Sequence, residues 1–376
     1  MRARLLCGAG ALLALVLAAS CASEVVSSPD GQGVRGANAE TTAARGTPSQ
    51  SPSSTRPSPT PVEPVTIAFG GDVHFEDEIA ARLADNPETT LGPISAVLSA
   101  ADVAMVNLES AITTGGSPAP KKYTFRAPPV ALRALAAAGI DVATMANNHG
   151  MDFGLEGLRD SLAASDEYNF PIIGVGNNAN QAYAPYVVNV HGQRLAFIGA
   201  TQVLDTILID DWTATADQPG LASAKTVDRL VQAVRATRQQ ADAVIVYLHW
   251  GRSMKPCPLP RQQQLARTLI DAGADILVGG HAHRLLAGGF LQGAYVHYGL
   301  GNFVWYNADG VSGRTGVLTL TIRGEKVLKA KWTPAVISGG VPHVLTGTDA
   351  KEARAEWRDL RECTSLSATP SGESDG

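Results

Sequence analysis

Ile276-Leu277-Val278-Gly279-Gly280-His281-Ala282-His283 is a short aliphatic run that stops at two glycines and opens onto a pair of histidines. Three β-favouring residues in succession read as a buried strand. A His-x-His pair at its Gly-rich exit is a compact metal chelate. Upstream, residues 261–272 have a helical pattern, and before them residues 243–248 form a strongly apolar strand that runs into His249-Trp250-Gly251. Buried strands joined by helices are the units of an α/β sheet. In such sheets the strand exits build sites while the strands hold them rigid.

The same arrangement recurs towards the amino terminus. Residues 65–69 form a buried strand that exits into Gly71-Asp72-Val73-His74. Residues 103–106 exit into Asn107-Leu108-Glu109, and residues 142–145 into Ala146-Asn147-Asn148-His149-Gly150-Met151-Asp152. Each group has a plainer reading when taken alone. An Asp after a strand is often a helix N-cap, a Glu is usually a surface carboxylate, and Asn with Gly makes a turn. A lone His such as His249 is more often structural than a ligand. The coincidence is stronger than its parts, because five of the eight histidines lie at these exits (His74, His149, His249, His281 and His283).

Helical stretches are expected at residues 94–100, 131–138 (ended by Gly139), 155–164 and 224–239. Residues 172–175 read as a strand, and 186–190 with 194–198 as a hairpin turning at His191-Gly192-Gln193. Residues 294–298, 316–322 and 327–336 read as late antiparallel strands. Alternating β and α elements followed by a run of strands indicate an α/β sandwich. No internal repeat is present.

Composition narrows the function. The 376 residues are 45% hydrophobic and 17% charged, with a net charge of -5. That accommodates one domain of roughly 250 to 300 residues plus extensions. No basic run stands out, which removes electrostatic support for nucleic-acid binding. Arg2 and Arg4 precede an apolar stretch, residues 5–19, of export-signal length. It ends in Leu17-Ala18-Ala19-Ser20-Cys21, similar to a bacterial lipobox, in which Cys21 carries the lipid; the alternative is an ordinary signal peptide. Residues 1–21 are therefore expected to be a lipoprotein signal, and either reading puts the mature protein outside the cytoplasm. Residues 22–63, rich in Ser, Thr and Pro, read as a disordered tether with a mean span of about 35 Å. The domain is expected over 64–362, with a disordered tail over 363–376. Cys257 and Cys363 remain and suggest one disulfide, two free thiols being the alternative.

The ordered set Asp-x-His, Asn-Leu-Glu, Asn-Asn-His, His-Trp-Gly and Gly-x-His-x-His resembles the CapA/PgsA family of poly-γ-glutamate capsule proteins. That family is itself similar to calcineurin-like metallophosphoesterases. Further matching segments are Tyr123-Thr124-Phe125-Arg126-Ala127-Pro128, Leu269-Ile270-Asp271-Ala272-Gly273-Ala274-Asp275 and Tyr298-Gly299-Leu300-Gly301-Asn302-Phe303. The resemblance implies an αββα sandwich of two mixed β-sheets flanked by helices. It implies that Asp72, His74 and His283 hold a first divalent metal, that Asn148, His249 and His281 hold a second, and that Glu109 bridges them. Mn, Fe and Zn all suit such mixed O/N ligands. His149 would protonate a leaving group with Asp152 orienting it, and Arg126 would contact an anionic substrate.

Two departures qualify the resemblance. Arg252-Ser253 stand where the family often places a Glu after His-Trp-Gly, and many capsule-type members lack a His at the position of His74. Two readings of function stay open. One is a lipid-anchored, metal-dependent hydrolase or transferase on the extracytoplasmic face, acting on poly-γ-glutamate or a phosphoester. The other is a non-catalytic binding or scaffold subunit of a capsule-polymer synthesis complex.

Overall fold

The computed structural model describes residues 62–370. The expected signal segment, Cys21 and nearly all of the expected tether lie outside the described residues. Two mixed sheets carry the domain. The first has eight strands, ordered Val341–Val344, Lys326–Ser338, Arg314–Arg323, Val65–Val73, Val103–Leu108, Val142–Thr144 and Ile172–Ile173, with Asn302–Val304 paired to the end of Val65–Val73. The second has six, ordered Gly288–Leu291, Ala294–His297, Ile276–Gly280, Ala243–His249, Gln193–Thr201 and Tyr186–Val190. The central strands of each sheet run parallel; antiparallel strands close both flanks of the second sheet and one flank of the first, whose other edge, Ile172–Ile173, is parallel.

The period-two alternation of side chains explains the layering. Val65, Ile67 and Phe69 turn towards the second sheet, where they share an apolar core with Leu195, Phe197, Ile245 and Tyr247. Their alternate Ala68, and Val73 beyond the register shift between Phe69 and Asp72, pack with Ile79, Leu83, Leu132 and Leu135 of the outer helices. On the other side Val244, Val246 and Leu248 pack with Leu230 and Val234 of helix Val227–Arg238 and with Leu265 and Leu269 of helix Pro260–Asp271. Both faces of both sheets are covered, so the central strands are apolar throughout, as parallel strands require. The four layers are the αββα sandwich.

Close approach of backbones shapes the pole where the parallel strands end. Asp72 N donates to Gly301 O at 2.9 Å. A Cβ on Gly71 would lie 2.0 Å from that same oxygen, so only glycine fits there.

Several expectations change in detail. Residues 94–100 form a 3-10 turn, Gly92–Ile94, followed by the short helix Ser95–Leu98. The strand expected over 172–175 breaks at Gly174 (φ 81), and Val175–Gly176 pairs instead with Gly220–Leu221. The chain stays built into the domain past 363, where a disordered tail was expected. Cys257 and Cys363 are joined by a disulfide with Cα atoms 5.9 Å apart, and Ser367 exchanges backbone hydrogen bonds with Phe290 at 2.8 and 2.9 Å. Among the described residues no helix is long and apolar enough to cross a membrane.

Candidate metal centre

The strand exits of the two sheets meet at one pole. Asp72 is the last residue but one of Val65–Val73, Asn107 holds the same place in Val103–Leu108 with Glu109 just beyond it, and Asn147, Asn148 and His149 follow Val142–Thr144. From the second sheet come His249, which ends Ala243–His249, and His281 and His283, which follow Ile276–Gly280. Asp72, Glu109 and His249 are fully buried.

Two donor groups form here, each with its ligand atoms within 4.8 Å of one another: Asp72, Glu109 and His283, and Glu109, His249 and His281. Glu109 belongs to both. Its Oε1 lies 3.4 Å from His249 Nε2 and 3.9 Å from His149 Nε2, yet it has no hydrogen-bond partner. His281 Nδ1 is likewise buried and unpartnered. A buried carboxylate oxygen without a donor costs several kcal/mol on the order expected for such groups, and a cation among these atoms removes that cost. Asn148 Oδ1 adds a neutral donor 2.7 Å from His249 Nε2. The donor set fits divalent metal.

Electrostatics point the same way. Burial pushes the Glu109 carboxyl well above its ordinary range, and the nearby charges of Asp72 and Asp152 add to the rise while Lys121 opposes it. Burial also raises Asp72, against His283, Asn107 and the His281 amide. Burial lowers His249 well below the usual imidazole value, with His281 and His283 next in effect, and takes His281 down to about 3. The protein thus gathers carboxylates that repel one another around neutral imidazoles, a field that a bound cation neutralises.

The backbone is bent to make the cluster. His281 (φ 81) and His283 (φ 53) both occupy the left-handed region, a strained conformation for residues with a Cβ. Gly280 precedes them because a Cβ there would come within 2.3 Å of Asp72 Oδ1. His281 N donates to Asp72 Oδ2 at 3.0 Å and so fixes the turn to the opposite sheet.

A ring of amides aligns the donors. Asn107 Nδ2 donates to Asp72 Oδ1 at 2.8 Å and lies 3.1 Å from His249 Nδ1. Asn147 Nδ2 donates to Asn107 Oδ1 at 3.0 Å and to Leu108 O at 2.8 Å. His283 Nδ1 lies 2.8 Å from Asn302 Oδ1 and 3.6 Å from Asp72 Oδ2.

His149 and Asp152 meet as expected, with Nδ1 2.6 Å from Asp152 Oδ2. A proton on Nδ1 shared with the carboxylate leaves Nε2 turned towards Glu109. Burial lowers His149, while the hydrogen bond and charge of Asp152 raise it. Asp152 is fully buried and also accepts from Phe125 N at 2.7 Å.

His74 stands outside both donor groups. It was expected as a ligand of the first metal, but its ring nitrogens face backbone amides instead, Glu76 N at 3.1 Å from Nδ1 and Tyr306 N at 3.3 Å from Nε2. The ring stacks on Phe125 at 4.9 Å and meets Trp305 edge-on at 4.2 Å. One nitrogen of the neutral ring can accept from an amide, and the aromatic box holds the ring against the wall of the site. Arg126, expected to contact substrate, is exposed and lies over the Phe153 ring at 4.7 Å, and its backbone N–H donates to Glu76 Oε1.

Sequence reasoning assigned no site role to Asn107, Asn147, Asn302 or Lys121. The first three fall inside quoted motifs, so their amides at strand ends were the available signal. Lys121 lies in a Pro-rich loop without any spacing pattern.

The family model for the bacterial capsule synthesis protein PGA_cap matches residues 66–307, a span that includes every one of these side chains. The chain belongs to this family. Among PGA_cap relatives it is 32% identical over 247 residues to the capsule biosynthesis protein CapA of Bacillus anthracis, covering 65% of this chain and 59% of that protein. It is 31% identical over 248 residues to the PGA biosynthesis protein CapA of Bacillus subtilis (strain 168), covering 64% of this chain and 63% of that one. The chain therefore spans about three-fifths of the length of these relatives. A solved structure described as a novel phosphatase from Mycoplasma pneumoniae is 14% identical over 73% of this chain and 94% of its own, with a TM-score of 0.47.

Proposed function

We propose that this member of the capsule synthesis family is a metal-dependent hydrolase or transferase of the cell envelope that acts on the γ-glutamyl bonds of an anionic polyglutamate. The observation that carries the reading is Glu109 Oε1, buried, without a hydrogen-bond partner and common to two donor groups. Two divalent ions, Mn, Fe or Zn, would be held by Asp72, Glu109 and His283 on one side and by Glu109, Asn148, His249 and His281 on the other. When bound, such ions supply Lewis acidity and a water nucleophile at neutral pH.

The chain's own residues do the rest. Asp152 keeps a proton on His149 Nδ1 and so presents the Nε2 lone pair to the centre, where it would take the proton of the attacking nucleophile and pass it to the leaving nitrogen or oxygen. Asn107 and Asn147 fix the carboxylates and imidazoles before substrate arrives, which preorganises the charge. The lipobox-like run ending at Cys21 supports a lipid anchor on the extracytoplasmic face, beside a polymer synthesis complex. A phosphoester is the competing substrate, and the same two-donor-group chemistry serves it.

Metal-loaded protein incubated with poly-γ-glutamate tests the proposal. New amino ends and shorter chains are expected with at least one of Mn, Fe or Zn, and His149→Ala should slow their appearance by about 10²-fold or more. Polymer that is bound but never shortened or transferred, under any of the three metals, overturns catalysis and leaves a binding subunit.

A further inference from the structure

Lys121 is an anomaly by its burial. Its side chain is only 8% exposed, in a loop between the short strands Ala111–Ile112 and Arg126–Ala127, although lysines are almost never buried without a partner. Its ammonium meets three groups. Asp152 Oδ1 is 2.7 Å away but off the line a hydrogen bond takes, so charge holds the pair. The main-chain oxygen of Asn148 accepts a short hydrogen bond from the ammonium, and His149 Nδ1 lies 3.4 Å away. The Trp212 ring backs the same ammonium, with its centroid 5.3 Å off.

These contacts converge on the two residues on which the proposed chemistry depends most. Asn148 carries a donor to the metal side, and His149 faces the reacting centre. Asp152 alone could turn either carboxylate oxygen to His149. With Oδ1 held by Lys121, and Oδ2 shared by the Phe125 amide and His149 Nδ1, its plane is fixed. The loop that bears Lys121 is fastened at the same point, since Ala119 N donates to Asp152 O at 2.8 Å.

We infer that Lys121 is a positioning residue, which clamps the Asp152 carboxylate and the Asn148 main chain so that His149 Nε2 is aimed at the metal centre. Its role as a clamp on catalysis rests on the proposed hydrolase reading, but the clamp itself is a feature of the fold that can be read without turnover. Charge is what the position requires. An arginine keeps the charge and is expected to keep the pair with Asp152, whereas a methionine keeps the stem and loses the pair.

The test compares Lys121→Met and Lys121→Arg with the wild type. In metal-free protein the His149 Nδ1 proton, assigned by its disappearance in His149→Gln, is expected as a low-field imidazole resonance at low temperature. It should persist in Lys121→Arg and vanish or broaden in Lys121→Met, with circular dichroism unchanged. In metal-loaded protein Lys121→Met should lower kcat by about 10- to 100-fold with KM within about twofold, and Lys121→Arg should recover most of it. A resonance that survives in Lys121→Met, or a kcat equal to wild type in that variant, overturns the clamp. So does loss of the resonance in a folded Lys121→Arg. Should Lys121→Met fail to fold, the arginine variant alone decides through the same resonance. Wild-type protein without any turnover counts against the hydrolase reading, while the resonance still decides on Lys121.

Discussion

The imidazole Nε2 of His249, at the end of a strand in the second sheet, lies 2.7 Å from Oδ1 of Asn148, which follows a strand of the first. Neither residue owes this contact to its own sheet. It exists because both parallel arrays end at the same pole, and it sets an amide oxygen beside an imidazole nitrogen, two neutral donors that a metal would use together. Metal uptake should release protons from the Glu109 carboxyl, whose ionisation burial opposes until a cation is bound.

Asp152→Asn keeps the shape of the side chain but removes the charge that orients His149. Loss of about 10²- to 10⁴-fold in kcat is expected, with metal content unchanged. Steady-state kinetics beside elemental analysis of the same sample checks it.

Gly280→Ala places a methyl group 2.3 Å from Asp72 Oδ1. The clash should cost about 1 to 3 kcal/mol and also displace a ligand. Urea unfolding and a metal titration should both register the change, whereas Gly192→Ala, in the open hairpin turn with nothing within 4 Å, leaves the metal titration unmoved.

His297 gives the fold a pH dependence away from the site. It is fully buried among Trp332 and Trp357 and accepts from Trp357 Nε1 at 3.0 Å, and burial takes its pKa from 6.5 down to about 3. The unfolded chain binds a proton below pH 6.5 that the folded chain refuses. The resulting stability is complete above 6.5 and is lost as pH falls towards 3, by about 1.4 kcal/mol per pH unit. Unfolding free energies measured from pH 7 to 4 should fall less steeply in His297→Gln. Equal slopes in the two proteins would refute this.

The Cys257–Cys363 bridge closes a separation of 106 residues. The Cys257→Ser, Cys363→Ser double variant should lose about 2 to 5 kcal/mol in urea unfolding. It should also bind metal more weakly, because Met254 N of the same loop donates to Ala282 O, between two histidine ligands, at 2.9 Å.

Much of this cluster was legible because each candidate ligand lies at or just past the end of a strand whose apolar run is unmistakable. That rule brought Asp72, Glu109, His249 and the His281–His283 pair to one pole, and the family resemblance alone implied their roles as ligands. The role of His74 was not legible. Asp-x-His reads as a chelate, whereas Tyr306 and Trp305 arrive from a distant loop and hold the His74 ring outside both donor groups. Lys121 and Asn302 were missed for the same reason, since Lys121 finds its partners in the loop after strand Val142–Thr144 and on Trp212, and Asn302 finds His283 across the sheet junction. Pairing order within the sheets was equally hidden, because strand Val65–Val73 takes a neighbour as far away as Arg314–Arg323.

Metal stoichiometry is the most direct test of the central claim that Glu109 joins two metal sites. Purified protein, loaded with Mn, Fe or Zn and freed of excess, should carry two ions per chain. Glu109→Gln, of the same shape but uncharged, should lose at least one of them. Wild-type protein that retains no metal, or a Glu109→Gln variant that retains both ions with unchanged affinity, would contradict the account.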